Sequence, residues 1–337
     1  MQVNPAALHD SVDSMFKTIE PDPIYIQGRS IVTSIYHKEL ATGYVLLNEL
    51  SRLKVKIPVE VFYRNNELTD TDIEILSNVD LNLQIKQIKG NAKDFTTQYG
   101  TIAGWSTKVY ALLESEYQHN LWIDSDNFPI NNPEFLFDDQ DYINKGSLFW
   151  RDMMSPDRAN RYHDDAVIWP IFKVIPNDAE PFESGQLLID KVKCLQQMRL
   201  VKHYADHCEI YYNFGGDSET FRMAWQHYHL RNGNTFPRIN YHQNNSMASP
   251  YGFMPYGCFN KGGVNKFGKW GGGTIMVQRD RNGNELFNHR NIDKMSINNN
   301  VFNTDILNEK YYHAHISNLY NILTIKNYGL AIKDILK

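Results

Sequence analysis

The stretch His119-Asn120-Leu121-Trp122-Ile123-Asp124-Ser125-Asp126-Asn127 decides how the rest of the chain reads. Leu121 to Ile123 is a short apolar run with strand character, and it stops at two aspartates separated by one residue. Asn127, Phe128 and Pro129 then read as a break in regular structure. A buried strand of this kind delivers two carboxylates to the C-terminal edge of a sheet, where open α/β folds bind ligands. Paired carboxylates suit a hard divalent cation, which takes oxygen ligands and bridges the phosphates of a nucleotide. The same spacing recurs at Asp70/Asp72, which reads as an acidic first helical turn, and at Asp139/Asp141, which reads as an acidic loop. Only Asp124/Asp126 follows an apolar strand, and by residues alone both a metal site and a solvated turn fit it.

Working outward toward the N-terminus, the chain alternates strands and helices. Ser30–Ile35, Val59–Tyr63 and Leu83–Ile88 read as strands; Leu40–Leu53 and Asp72–Ser77 read as helices, the first with Val45, Leu46, Leu50 and Leu53 at helical spacing. That alternation predicts parallel βαβ units and an open α/β sheet whose first half binds a nucleotide. Trp105–Glu116 reads as a helix leading into the central strand. Lys108 lies on it, either as a solvated helix lysine or as a partner for phosphate or an acid. Residues 1–28 read as an N-terminal arm, with Pro21 and Pro23 blocking a helix.

On the C-terminal side, Gly146–Trp150 reads as a strand, followed by Asp152 and a polar loop over Ser155–Asp165. Glu183 precedes a glycine turn at Gly185 and an apolar strand, Leu187–Lys191, and is placed to face a cleft. Lys193–Tyr204 reads as helical. His203 and His207 have a zinc-compatible spacing, but without a nearby third ligand they read as surface histidines. Asp217 reads as the N-cap of a helix running through His229. Asn240–Gly273, rich in Gly, Asn, Tyr and Pro, reads as a long substrate-facing loop, and Trp270–Gly273 as a hinge. Thr274–Gln278 reads as a last core strand, and Asn318–Lys337 as an amphipathic tail.

Composition narrows the class. The chain has 337 residues, 42% hydrophobic and 22% charged, the profile of a globular protein with room for one large α/β domain. A net charge of −5 gives no footprint for nucleic acid. Twenty Tyr and 17 Phe suit carbohydrate stacking but equally suit a core. Three cysteines without metal-type spacing argue against a disulfide framework. No signal peptide and no run long enough to span a membrane are present in the sequence.

Several stretches, in this order, resemble one family: Gly104–Lys108, Leu121–Asn127, Gly146–Asp152, Glu183–Lys191, Gly216–Trp225, and Phe287–Asn291 with Lys294. Together they look like the fungal-type α-1,3-mannosyltransferases, whose Asp-x-Asp motif belongs to the GT-A glycosyltransferase fold. The resemblance implies an α/β fold with a single GT-A-like domain and an open, mixed, mostly parallel sheet flanked by helices. It implies boundaries at 1–28 for the arm, 29–316 for the domain (29–130 nucleotide-binding, 131–316 acceptor) and 317–337 for the tail. It also implies a metal shell of Asp124, Asp126 and His289 around Mn2+ or Mg2+, with Lys108, Lys294 and Asp124 serving the nucleotide diphosphate. Family members retain anomeric configuration. Glu183 and Asp217 are candidate nucleophiles in a covalent route. In the favoured same-face route Glu183, Asp217 and Asp152 bind sugar hydroxyls and stabilise positive charge on the ring.

The expected activity is transfer of mannose from GDP-mannose, preferred over a UDP-hexose, to a hydroxyl of a glycan or glycoprotein acceptor. A phosphohydrolase or nucleotidyltransferase and a non-catalytic glycan-binding module are the competing classes. The chain lacks the anchor and stem usual in Golgi members, so the expected location is cytoplasmic, or the Golgi lumen if the chain is a piece of a longer protein.

Overall fold

In the computed structural model the described residues are 12, 16, 22–89, 104–152, 166–177, 181–212, 216–234, 250–256, 258–261, 275–290 and 307–325. The strands are β1 (Ile26–Ser34), β2 (Val59–Tyr63), β3 (Leu83–Gln87), β4 (Tyr117–Ile123), β5 (Asn127–Pro129), β6 (Ser147–Arg151), β7 (Phe182–Asp190), β8 (Gly252–Phe253), β9 (Phe259–Lys261), β10 (Ile275–Arg279) and β11 (Glu285–His289). The helices are α1 (Leu40–Arg52), α2 (Asp70–Ser77), α3 (Thr107–Glu114), α4 (Gln140–Lys145), α5 (Ile168–Phe172), α6 (Leu195–Asp206), α7 (Cys208–Tyr211), α8 (Asp217–Arg231) and α9 (Glu309–Ile325). The fold is α/β, with a mixed sheet flanked by helices. Two compact units make it up. The first comprises Arg29–Ile88, Leu121–Asp138 and Tyr256–Lys337; the second comprises Met1–Gly28, Lys89–Asn120 and Asp139–Pro255.

In the first unit the strand order is β3-β2-β1-β4. The β1–β2 and β2–β3 pairs are parallel, with Val32 opposite Glu60 and Val61 opposite Ile85. The C-terminal half of β1 and most of β2 are buried, whereas β3, at the sheet's edge, alternates apolar and polar residues and stays partly exposed. Helix α1 buries Leu46, Leu47 and Leu50, and α9 packs on it through Tyr312, Ile316, Leu319 and Leu323. Helix α2 starts where the acidic pair predicted it. Thr69 caps it, and Asp72 returns a bond to the Thr69 backbone, so two end donors are satisfied reciprocally. A second, antiparallel sheet has the order β5-β11-β10-β9.

In the second unit the order is β4-β7-β6-β8, with β6 antiparallel to β7 and parallel to β8. Trp225 of α8 packs edge-on to Phe149, ring centroids 5.1 Å apart, and its indole N–H donates to Ser147 Oγ at 2.9 Å. A buried indole thereby keeps its polar end satisfied.

Several elements differ from their sequence reading. Asn127–Pro129 does not break the structure but forms β5; Pro129 is tolerated because β5 is an edge strand. Asp139, read as part of a loop, is the N-cap of α4, and Asp141 lies in that helix. The Asp139 carboxylate accepts from the backbone N–H groups of Asp141 and Tyr142, at 2.9 and 3.2 Å. Strand β7 runs through Gly185, where a turn was expected, with its register against β6 shifting between Glu183 and Leu188. Within Asn240–Gly273 the described residues include β8 and β9, so that stretch is not wholly irregular; Trp270–Gly273 lies outside the described residues, as does Ser155–Asp165. Helix α9 begins at Glu309, well ahead of Asn318. The three cysteines form no disulfide. Among the described residues, no helix is long and apolar enough to cross a membrane.

Candidate metal centre and a buried lysine–carboxylate cluster

In the first unit β4 ends at Ile123, and the chain turns at once: Asn127 N–H donates to the Asp124 carbonyl at 2.9 Å. Three further bonds hold the turn. Trp122 Nε1 donates to Asp124 Oδ1 at 2.6 Å, Ser125 Oγ donates to Glu39 Oε2 at 2.8 Å, and Arg290 N–H donates to the Asp126 carbonyl at 2.8 Å. The last bond continues the β5–β11 ladder, in which His289 lies opposite Asn127. Strand pairing thus brings a histidine from far along the chain beside the Asp-x-Asp turn. His289 Nε2 lies 3.2 Å from Asp126 Oδ1. Arg290 is anchored in turn to Glu309, Nη1 to Oε2 at 2.8 Å, which ties α9 to the end of β11.

One ligand atom each from Asp124, Asp126 and His289 falls within 4.8 Å of the others. That spread matches donors surrounding one ion with bonds of roughly 2.0–2.6 Å. Asp126 is 5% exposed and His289 4%, while Asp124 is half-buried, so two donors are sheltered and one side is reachable. Two carboxylates and an imidazole form a donor set suited to a divalent first-row ion, with carboxylates also favouring Mg2+. The residues present therefore fit Mn2+ or Mg2+. Sequence alone joined His289 to this set only through the family resemblance; in the structure it closes β11. Glu39 was not anticipated. It follows β1, far from the motif in sequence, and only packing places it on Ser125. Its other oxygen accepts from Tyr36, 2.9 Å away, whose ring is exposed at the end of β1.

The second unit holds a different cluster. Lys108 is not a solvated helix lysine: it is 6% exposed, and its Nζ lies 2.7 Å from Asp217 Oδ2. It also donates to the Ser184 carbonyl at 2.7 Å and to Ser184 Oγ at 3.1 Å. Ser184 Oγ donates to the Asp217 carboxylate at 3.3 Å. Asp217 is not the N-cap of α8, since Gly216 occupies that position with φ 76° and ψ −148°; Asp217 is its first helical residue. Its carboxylate is thereby free of capping and pairs with Lys108 instead. The Glu183 carboxylate folds back to accept from Gly185 N–H at 2.8 Å, and Asp152 is buried. Ser184, the hub of this cluster, carries no signal that distinguishes it in the sequence.

The His203 and His207 rings lie against each other, centroids 4.8 Å apart and planes tilted by 59°. His203 is half-buried against Tyr204 and Tyr211 rather than on the surface. Burial, then the neighbouring His207, pushes its pKa down to about 4. Among the described residues the Asp124/Asp126/His289 group is the one set of three such side chains able to hold a metal. Lys294 lies outside the described residues.

The fold and this constellation define an α/β protein with a group of side chains at a strand end that could hold a divalent cation. Comparison with known proteins narrows the class. Residues 28–181 match the family described as "Mannosyltransferase putative". The chain is 29% identical over 229 residues to the alpha-1,2-mannosyltransferase MNN24 of Candida albicans, covering 52% of this chain and 31% of that protein. It is 25% identical over 177 residues to the protein named "Putative alpha-1,3-mannosyltransferase MNN14" of the same organism, covering 49% of this chain and 24% of that one. The chain thus spans about a third or less of the length of these curated relatives. Core-mannan synthase A of Aspergillus fumigatus, solved in its Mn/GDP form, aligns with a TM-score of 0.43 and 9% identity over 62% of this chain and 76% of that one. The proteins this sequence resembles are mannosyltransferases, and α-1,2 as well as α-1,3 linkages stand in their names.

Proposed function

We propose that the chain is a metal-dependent, retaining glycosyltransferase that moves mannose from GDP-mannose to a hydroxyl of a glycan acceptor. The observation that carries this reading is the convergence of Asp124, Asp126 and His289 at the end of β4, in a chain similar to mannosyltransferases. These three residues would hold Mn2+ or Mg2+. When bound, such an ion supplies positive charge against the departing diphosphate. Lys294 serves the same phosphates. Lys108 does not reach for phosphate in this reading, because its ammonium is committed to Asp217 and Ser184. Asp217, Glu183 and Asp152 bind sugar hydroxyls and stabilise positive charge on the ring. A same-face route then needs no protein base, since the leaving phosphate oxygen takes the acceptor proton. The linkage formed is α-1,2 or α-1,3, as in the names of the relatives.

A thermal-shift panel of GDP, UDP, CDP and their sugars, each with Mn2+ and with EDTA, tests the proposal. A ligand that binds only the native state raises stability with the logarithm of its saturation. A metal-dependent shift with GDP and GDP-mannose is expected. A shift with UDP alone replaces the donor, and no shift with any nucleotide overturns the enzyme reading in favour of a glycan-binding module.

A further inference from the structure

Trp105 is 47% exposed, although it lies three residues before the buried Lys108. Trp122, Trp150, Trp169 and Trp225 are all fully buried, so Trp105 is set apart among the described tryptophans. Its indole is not loose. One edge lies on Gly216, where an added Cβ would meet Trp105 Cε3 and Cζ3 at 3.1 Å, and the ring also faces Tyr212 at a centroid distance of 6.5 Å. Gly216 is required twice over: its φ of 76° is left-handed, and its missing side chain makes room for the indole. The next residue is Asp217, whose carboxylate is braced by Lys108 and Ser184 and keeps 12% of its side chain exposed. A half-exposed indole packed on the glycine that precedes a braced carboxylate offers apolar and polar recognition on one stretch of chain.

We propose that Trp105, Gly216 and Asp217 form a hexopyranose subsite. The indole takes the C–H face of the sugar ring, and the Asp217 carboxylate accepts from its hydroxyls. The subsite deepens the glycosyltransferase reading and rests on it for the choice of a sugar, but its test needs neither metal nor nucleotide.

Binding of methyl α-D-mannopyranoside to the full chain in EDTA, followed by saturation-transfer NMR, is the direct measurement. Trp105→Ala is expected to weaken binding roughly ten-fold, and Trp105→Phe to restore most of it, since one aromatic contact is worth on the order of a ten-fold change. Trp105→Ala with wild-type melting and wild-type sugar affinity overturns the subsite. Should that variant not fold, iodide quenching of a Trp270→Phe protein reads the exposed indole. Protection by the sugar supports the subsite, and unchanged quenching at saturating sugar overturns it. Displacement of the methyl mannoside by GDP-mannose with Mn2+ supports the subsite as the donor's. Simultaneous binding supports it as the acceptor's. Loss of the nucleotide shift with retained sugar binding overturns the metal-dependent reading alone, and the converse overturns the subsite alone.

Discussion

The two clusters solve opposite electrostatic problems. In the first unit Asp124, Asp126 and His289 gather two carboxylates and an imidazole, and a cation held there would relieve the repulsion between the carboxylates. In the second unit the positive charge is built in: the Lys108 ammonium sits 2.7 Å from Asp217 and takes two more oxygens from Ser184. A carboxylate with its own lysine is held in place by that partner, whereas a carboxylate pair with a histidine is a donor set that could hold a cation. The first cluster should therefore control function with little effect on folding, and the second should control stability as well.

The largest expected effect is at Asp126. Asp126→Ala should remove the metal-dependent shift with GDP and cut turnover by about 10²–10³-fold, the scale of losing one group that stabilises developing charge. Its melting temperature without metal should stay near wild type, because the Arg290 bond uses the Asp126 backbone carbonyl. A folded Asp126→Ala protein that still shows a metal-dependent GDP shift breaks the comparison.

Lys108→Met should lower stability in urea by about 3 kcal/mol, since it strands a mostly buried carboxylate without its partner. The double change with Asp217→Asn should recover most of that loss. An additive double variant would remove the coupling on which the contrast rests.

His289→Ala should weaken Mn2+ affinity by about 10–100-fold, less than Asp126→Ala, because two carboxylates remain; orienting contacts around metal sites carry losses of this size. Equal metal titrations in variant and wild type would take His289 off the ligand list.

The smallest effect concerns His203, whose folded pKa of about 4 lies below the unfolded value of 6.5. The unfolded chain therefore binds the proton more readily. The stabilisation from neutral His203 is complete above about pH 6.5 and is lost as pH falls toward 4, on the order of 1–2 kcal/mol after allowance for its remaining exposure. His203→Gln should flatten the wild-type slope in urea midpoint across that window. Identical slopes would place the acid sensitivity elsewhere.

Local chemistry determined much of this protein. The alternation of apolar strands with helically spaced Val45, Leu46 and Leu50 is enough for an α/β sheet, because burial favours one periodicity per element. The capped acidic turn at Asp70/Asp72 and the strand-end pair Asp124/Asp126 were likewise legible, since each depends on neighbours within a few residues. The failures share one cause. Asn127–Pro129 became a strand because β11 lay beside it, and β7 continues past Gly185 through a register shift against β6. Asp217 left its expected capping role for a lysine on another helix. Only tertiary structure decided that His289 faces Asp126, that Ser125 meets Glu39, and that Lys108, Ser184 and Asp217 share one buried cluster. Hydrogen bonds and ion pairs between distant segments leave no periodic trace in a sequence. They depend on strand register and helix packing, which the whole chain sets at once.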